Sequence, residues 1–205
     1  QRGRHKKQSG GHGQFGDVVL QIKPLPRGSG FQFTDTITGG VVPKTYIQSV
    51  EVGVRDYLKC GPLGFPVVDV AVNLSDGSYH SVDSSDMAFQ MAAKLAMKEG
   101  MAACSPVLLE PIMKVEIVTP SDATAKIIAL VPQRRGQILG YDARPDWPGW
   151  DVVEATMPQA EIGDLIIELR SATAGVATYR TSFDHMAELT GRLADEAMNA
   201  NGKAA

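Results

Sequence analysis

The sequence predicts an α+β protein built in two parts, and three observations carry that expectation. Apolar residues recur with period two in some stretches and at helical spacing in others. A connector bracketed by Pro106 and Pro111, "ACSPVLLEP", breaks the pattern near residues 105–111. Beyond it the elements come in the order β-α-β-β-α-β, the split-βαβ or ferredoxin-like arrangement.

The first part is read as follows. "FGDVVLQIKPL" is a strand, with Val18, Leu20 and Ile22 alternating; "PRGSG" is a turn; "FQFTDTI" is a second strand with Phe31 and Phe33 on one side. In "GGVVPKTYIQSVEVGVRDYLKCG", Pro43 suits a first helical turn and Gly61 a stop, and Ile47, Val50, Val54, Tyr57 and Leu58 fall on one face between them. "VVDVAVNL" is a strand and "SDGSYH" a turn. "DSSDMAFQMAAKLAMKEGM" is a helix capped by Asp83 or Ser84, whose small apolar face of Ala88, Met91, Ala92, Leu95 and Ala96 suits close packing on a sheet.

In the second part "IMKVEIVT" is a strand, residues 121–133 a helix, and "GQILGYD" a strand. The loop "ARPDWPG" leads to the strand "WDVVEATMP". The helix "QAEIGDLIIELRSATAG" buries Ile162, Leu165, Ile166 and Leu169, and the strand "VATYRTSFDHM" follows. "AELTGRLADEAMNA" is a short terminal helix with a loose "NGKAA" tail. The expected division is 1–107, 108–187, and a helix with tail over 188–205.

At 43% hydrophobic and 21% charged, the 205 residues have the composition of an ordinary globular protein. No apolar run approaches the roughly 18 residues of a membrane span, and "QRGRHKKQSGG" lacks the apolar core of a signal peptide, so a cytoplasmic location with no membrane partner is expected. Cys60 and Cys104 lie far apart without CxxC spacing; both are expected to be buried, with no metal site and no disulfide. A chain beginning at Gln1 is expected to be a piece of a longer protein.

The net charge of −3 excludes a protein that coats nucleic acid over its whole surface. Yet Arg2, Arg4, Lys6, Lys7, Lys23 and Arg27 crowd the first segment, where Asp17 is the only acid. Two readings stand: a patch that docks on a phosphate-rich partner, or a solvated, frayed terminus.

"GGHGQFGDV" contains Gly11-x-Gly13-x-x-Gly16-x-Val18, the spacing of nucleotide-binding glycine loops. A dinucleotide site needs a strand before it and a helix after it, whereas here a basic segment precedes and a strand follows. A kinase loop needs an HRD loop and a DFG segment, and neither is present. The glycines instead allow a tight turn whose N–H groups approach a phosphate or base, with His12 and Gln14 beside them, or else form a flexible hairpin tip. The four histidines lack HExxH spacing, and no GxSxG or GxxxxGK[ST] occurs, so no catalytic residues are assigned. The isolated chain is expected neither to bind nor to hydrolyse GTP.

Seven ordered blocks identify a family. "SGGHGQFGDV", "PLPRGSGFQF", "GGVVPKTYIQSVEVGV", "GPLGFPVVDV", "DGSYHSVDSSDMAF", "PVLLEPIMKVEI" and "RRGQILG" together resemble the C-terminal part of elongation factor G, the bacterial translocase. The resemblance runs from about Gln8 to Leu169 and implies two domains. The first resembles the family's domain IV, similar in fold to domain 2 of ribosomal protein S5; the second resembles the ferredoxin-like domain V. It also implies that the terminal helix returns to the first domain or the junction.

In this family the tip of domain IV enters the A site on the small ribosomal subunit during translocation and touches the tRNA–mRNA duplex. The matching positions are Ser9, Gly10, Gly11, His12, Gly13, Gln14 and Gly16 in one loop, and Gly77, Ser78, Tyr79 and His80 in another. On this reading His80 contacts RNA backbone; a purely structural His80, bonded to its own turn, is the other reading. Arg134 and Arg135 match the family's "RRG", implying an rRNA contact, against a solvated helix end.

The resemblance further implies a ribosome partner, a monomer, no cofactor in this chain, and GTP with Mg²⁺ in the full-length parent. Ile162, Asp164 and Val176 stand where relatives commonly have an aromatic, Tyr and Arg, and "YDARPDWPGW" is an unusual connection, which suggests a divergent paralogue. A paralogue serving ribosome recycling or protection, and a stand-alone RNA-binding module, are the alternatives.

Overall fold

The structure is a computed structural model and describes residues 1–8 and 10–202. Its contacts group into two units, Gln1–Leu108 with the segment from Thr190 onward, and Leu109–Leu189.

In the first unit the strands are β1 (Arg2–Lys7), β2 (Gln14–Pro24), β3 (Phe31–Asp35) and β4 (Val70–Ser78), hydrogen-bonded in the order β1-β2-β4-β3. β1 and β4 run antiparallel to β2, and β3 runs parallel to β4. The parallel pair needs a crossover, which α1 (Lys44–Leu58) supplies. α2 (Asp86–Ala103) follows β4. Val18, Leu20, Val72 and Leu74 of the sheet meet Val50 and Val54 of α1 and Phe89, Ala92, Ala93, Ala96 and Met97 of α2 in one buried core. The alanines do what their size predicts: they let β1 approach until an added Cβ on Gly3 would lie 2.7 Å from that of Ala96. The last helix, α5 (Gly191–Gly202), groups with this unit, and Asn201 Nδ2 donates to the Gly64 carbonyl at 2.5 Å.

The second unit runs β5 (Leu108–Pro120), α3 (Thr124–Gln133), β6 (Gln137–Ala143), β7 (Trp150–Pro158), α4 (Leu165–Ala172) and β8 (Thr178–Leu189), with sheet order β6-β7-β5-β8. That is the ferredoxin-like βαββαβ fold expected from the sequence. Val115, Ile117, Val153, Ala155 and Met157 face Ile127, Val131, Leu165 and Leu169 of the helices.

Several expectations are corrected. The N-terminal residues are not frayed: β1 pairs with β2 over six residues, and only Gly3 of the strand is buried, so its polar sequence hid it. Pro111 does not end a connector but lies inside β5, where it precedes the stretch paired with β7 from Ile112 onward and so withholds no ladder N–H from it. The cap of α2 is Ser85, whose Oγ accepts from Ala88 N at 3.2 Å, because Asp83 and Ser84 are engaged elsewhere. The helix read over residues 159–175 is a 3-10 turn, Gln159–Glu161, followed by the shorter α4. Cys60 and Cys104 are exposed, since each falls just beyond the end of its helix, past the last buried turn.

Candidate nucleic-acid interface

The two loops predicted to act together meet at one end of the first sheet. β1 and β2 are joined by residues 8–13, and β4 leads through Tyr79 and His80 into the turn before α2. Asp83 joins them: its Oδ1 accepts from Gly13 N at 3.1 Å and its carbonyl accepts from Phe15 N at 2.8 Å. Ser84 adds a second tie, its Oγ accepting from His80 N at 2.9 Å and donating to the Phe15 carbonyl at 2.9 Å.

His80 is exposed, and its Nδ1 lies 3.3 Å from Val82 N and 3.2 Å from Asp83 N. Asp83 Oδ2 lies slightly further from Nδ1, at 3.4 Å, so the two nearer N–H donors assign Nδ1 as the acceptor and the proton to Nε2, which has no protein partner among the described residues. His80 is thus bonded to its own turn and also presents a free donor outward. Phe15 lies beside it with ring centroids 6.3 Å apart, and the Arg4 guanidinium sits 5.3 Å from the Phe15 centroid.

An open depression of ≈ 560 Å³ lies between the loops, lined by Arg4, Lys6, Lys7 and Gln8 on one side and Tyr79, His80 and Asp83 on the other, with Gly13, Gln14 and Phe15 between. Three cations face one carboxylate that is already hydrogen-bonded. This is a positive surface with donors, suited to phosphate and ribose oxygens.

The remaining predicted residues divide. Gly10, Gly11 and His12 are exposed at the loop, and Gln14 Oε1 lies 2.8 Å from His5 Nε2. Ser9 lies outside the described residues. Gly16 and Gly77 are taken up by packing: an added Cβ would lie 2.5 Å from the Ala88 carbonyl oxygen in the first case and 2.3 Å from the Asp17 carbonyl oxygen in the second. Ser78 Oγ donates to Asp17 at 2.7 Å and faces inward.

Asp17 itself is fully buried and accepts from Arg2 Nε at 2.8 Å and from Arg2 Nη2. The Arg2 guanidinium holds its carboxyl below the usual range against burial, which pushes it up. Asp17→Asn is therefore expected to be less stable than the parent at neutral pH. The folded pKa lies below the unfolded value of about 3.9, so this stability is present above that value and lost as pH falls through the folded one. Urea melts in progressively more acid buffer should show parent and variant converging; a gap independent of pH would refute the assignment.

Arg4, Lys6 and Lys7, read from sequence as part of a basic patch, line the depression, whereas Phe15 was not singled out and Asp83 was read only as a helix cap. Gly3 of "RGRHKK" is the position where β1 lies against α2. Lys23, grouped with these cations by sequence, lies nine residues further along β2 than Gln14, about 30 Å away. Arg27 pairs with Asp69.

Arg134 and Arg135 are both engaged by carboxylates of their own unit, Arg134 buried and Arg135 exposed. Only 8% of the Arg134 side chain is exposed, and it donates to Glu168 Oε1 at 2.6 Å, Asp164 Oδ1 at 2.7 Å and the Glu161 carbonyl at 2.5 Å. These carboxylates, Glu168 foremost, raise its pKa above the ordinary value. Arg135, in the left-handed region at φ 53°, makes two bonds to Glu110 and one to Glu161. Acids close on both cations because α3 ends against the start of α4.

Residues 1–105 match the family described as Elongation factor G, domain IV, and residues 107–197 match Elongation factor G C-terminus. The chain belongs to the elongation factor G family. An elongation factor G-like protein of Synechocystis is 60% identical over 192 residues, which are 94% of this chain and 29% of that protein. A crystal structure from Thermus thermophilus superposes with a TM-score of 0.89 at 39% identity, covering 99% of this chain and 30% of the other. The chain thus spans less than a third of the length of these relatives, and it carries the elongation factor G domain IV and C-terminal folds.

The glycine motif of this chain is not built as the GTP site that the resemblance implies for the longer parent. Gly11, Gly13 and Gly16 sit in a hairpin that leads into β2, not at a helix N-terminus, so they form no P-loop. Among the described residues no group of three or more His, Cys, Asp or Glu side chains could hold a metal ion, and no helix is long and apolar enough to cross a membrane.

Proposed function

We propose that this chain is the ribosome-engaging C-terminal part of a translation factor, and that its paired loops enter the A site on the small ribosomal subunit and hold the tRNA–mRNA duplex during translocation. The observation that carries this reading is the node at Asp83, which binds the glycine loop and the His80 turn into one rigid, basic depression. Three cations and the outward Nε2–H of His80 suit contacts to backbone oxygens, which carry no sequence information. A factor that must act on every codon requires that indifference. GTP and Mg²⁺ belong to another part of the whole protein, a cytoplasmic monomer on this reading, and this chain does no GTP chemistry.

His80→Ala and Gln14→Ala in the whole protein test the proposal. Each should slow tRNA–mRNA movement roughly tenfold, the equivalent of about 1.4 kcal/mol of transition-state contact. GTP hydrolysis and melting temperature should stay close to the parent's, since both side chains contribute little to the core. Unchanged translocation by His80→Ala would leave that residue a turn-former only.

A second reading, a paralogue for ribosome recycling or protection, is favoured by one observation. Asp164, at a position where relatives commonly have Tyr, is committed to Arg134. A whole protein that splits ribosomes but does not move tRNA and mRNA would select it.

A further inference from the structure

The loop between β6 and β7, residues 144–149, holds a cluster that the proposed function leaves unused. The Arg144 guanidinium sits 3.7 Å from the centroid of Trp147, and Trp147 meets Trp150 edge-on at 5.5 Å. Neither tryptophan belongs to the core of its unit, and Trp147 is 46% exposed. The loop is nevertheless tightly ordered: Arg144 N donates to the Trp150 carbonyl at 2.7 Å, Trp147 N to that of Arg144 and Trp150 N to that of Trp147, both at 3.1 Å. Pro145 and Pro148 fix two further φ angles. A large aromatic ring held rigid in solvent loses little freedom on binding, which is what makes tryptophan an interface anchor.

Resting on the ribosome reading above, we propose that this loop docks a lysine- or arginine-bearing segment of a partner protein. Asp142, near the end of β6, and Asp146, the residue before Trp147, are both exposed and both without a side-chain partner among the described residues. Two carboxylates outweigh the one guanidinium, so the loop repels phosphate and attracts a cationic side chain. Arg144 covers one face of the indole, so an incoming cationic side chain is held by the carboxylates and by the ring area that Arg144 leaves exposed. Leu139 and Tyr141, more than half exposed and two residues apart on β6, offer apolar surface for the stems of such side chains.

The test places a photoreactive benzophenone amino acid at position 141 of this chain, in place of the exposed Tyr141 so that Trp147 is kept, with 70S ribosomes as the probe and co-sedimentation measured in parallel. The expected result is a crosslink to a protein. Asp142→Asn with Asp146→Asn, two exposed changes that spare the fold, should reduce the crosslink about tenfold while the melting temperature holds. Crosslinking to rRNA would overturn the inference and make the loop a nucleobase platform. Co-sedimentation without a crosslink, or a crosslink indifferent to the two carboxylates, would overturn it and leave the ribosome reading standing. Failure to co-sediment would remove both.

Discussion

Gly16→Ala is expected to destabilise the first unit by about 3 kcal/mol, the upper part of the range for overpacking a tight interior. The obstacle is backbone: the new methyl would lie 2.5 Å from the Ala88 oxygen, 2.6 Å from its carbonyl carbon and 2.9 Å from Phe89 N. None of these atoms can turn aside as a side chain does. Either β2 or the first turn of α2 must shift, and both lead directly into the depression, through Phe15 and Ser84. The urea midpoint should fall accordingly, and the proposed RNA contact should weaken even under conditions where the variant is folded. A loss below about 1 kcal/mol would mean that the strand and helix can slide apart at little cost.

The second large effect is asymmetric. Arg134 is the buried member of its cluster, so removing an acid is worse than removing the cation. Glu168→Ala deletes two bonds to the guanidinium and is expected to cost about 2 kcal/mol, less than a fully buried pair would because Glu168 is half exposed. Arg134→Met keeps the apolar stem and leaves its acids free to take water, and it should cost about 1 kcal/mol or less. Thermal melts of the two variants decide the matter: an Arg134→Met that melts well below Glu168→Ala would show that the guanidinium itself, not its shielding, holds α3 to α4.

Elements whose side chains alternate or repeat cleanly were legible in the sequence. β2, α1, β4, α2 and the whole order of the second unit follow from apolar spacing, because burial on one face imposes that spacing. β1 was not legible, since five of its six residues are polar and the one buried position is a glycine. The loops of the site were legible only through resemblance. Their adjacency depends on Asp83, a residue read as a helix cap and used instead as a bridge of 70 positions in sequence, which no local pattern encodes. The partners of Arg134 and Arg135 were not legible either: the acids at positions 110, 161, 164 and 168 that pair with them come together only in the fold.

The β1–β2 hairpin places the depression at the far end of two strands anchored along their length. Arg2 is locked to Asp17, and the backbone nitrogen of Gln1 donates to the Leu20 carbonyl at 2.7 Å. A load applied at Lys6, Lys7 or Gln14 is therefore carried in shear by a ladder of parallel-acting hydrogen bonds, and not by peeling them one at a time. Mechanically the hairpin is a strut. Such a strut gains stiffness without needing a larger core, because shear loads the whole ladder at once, and the proposed grip on a duplex would draw on it.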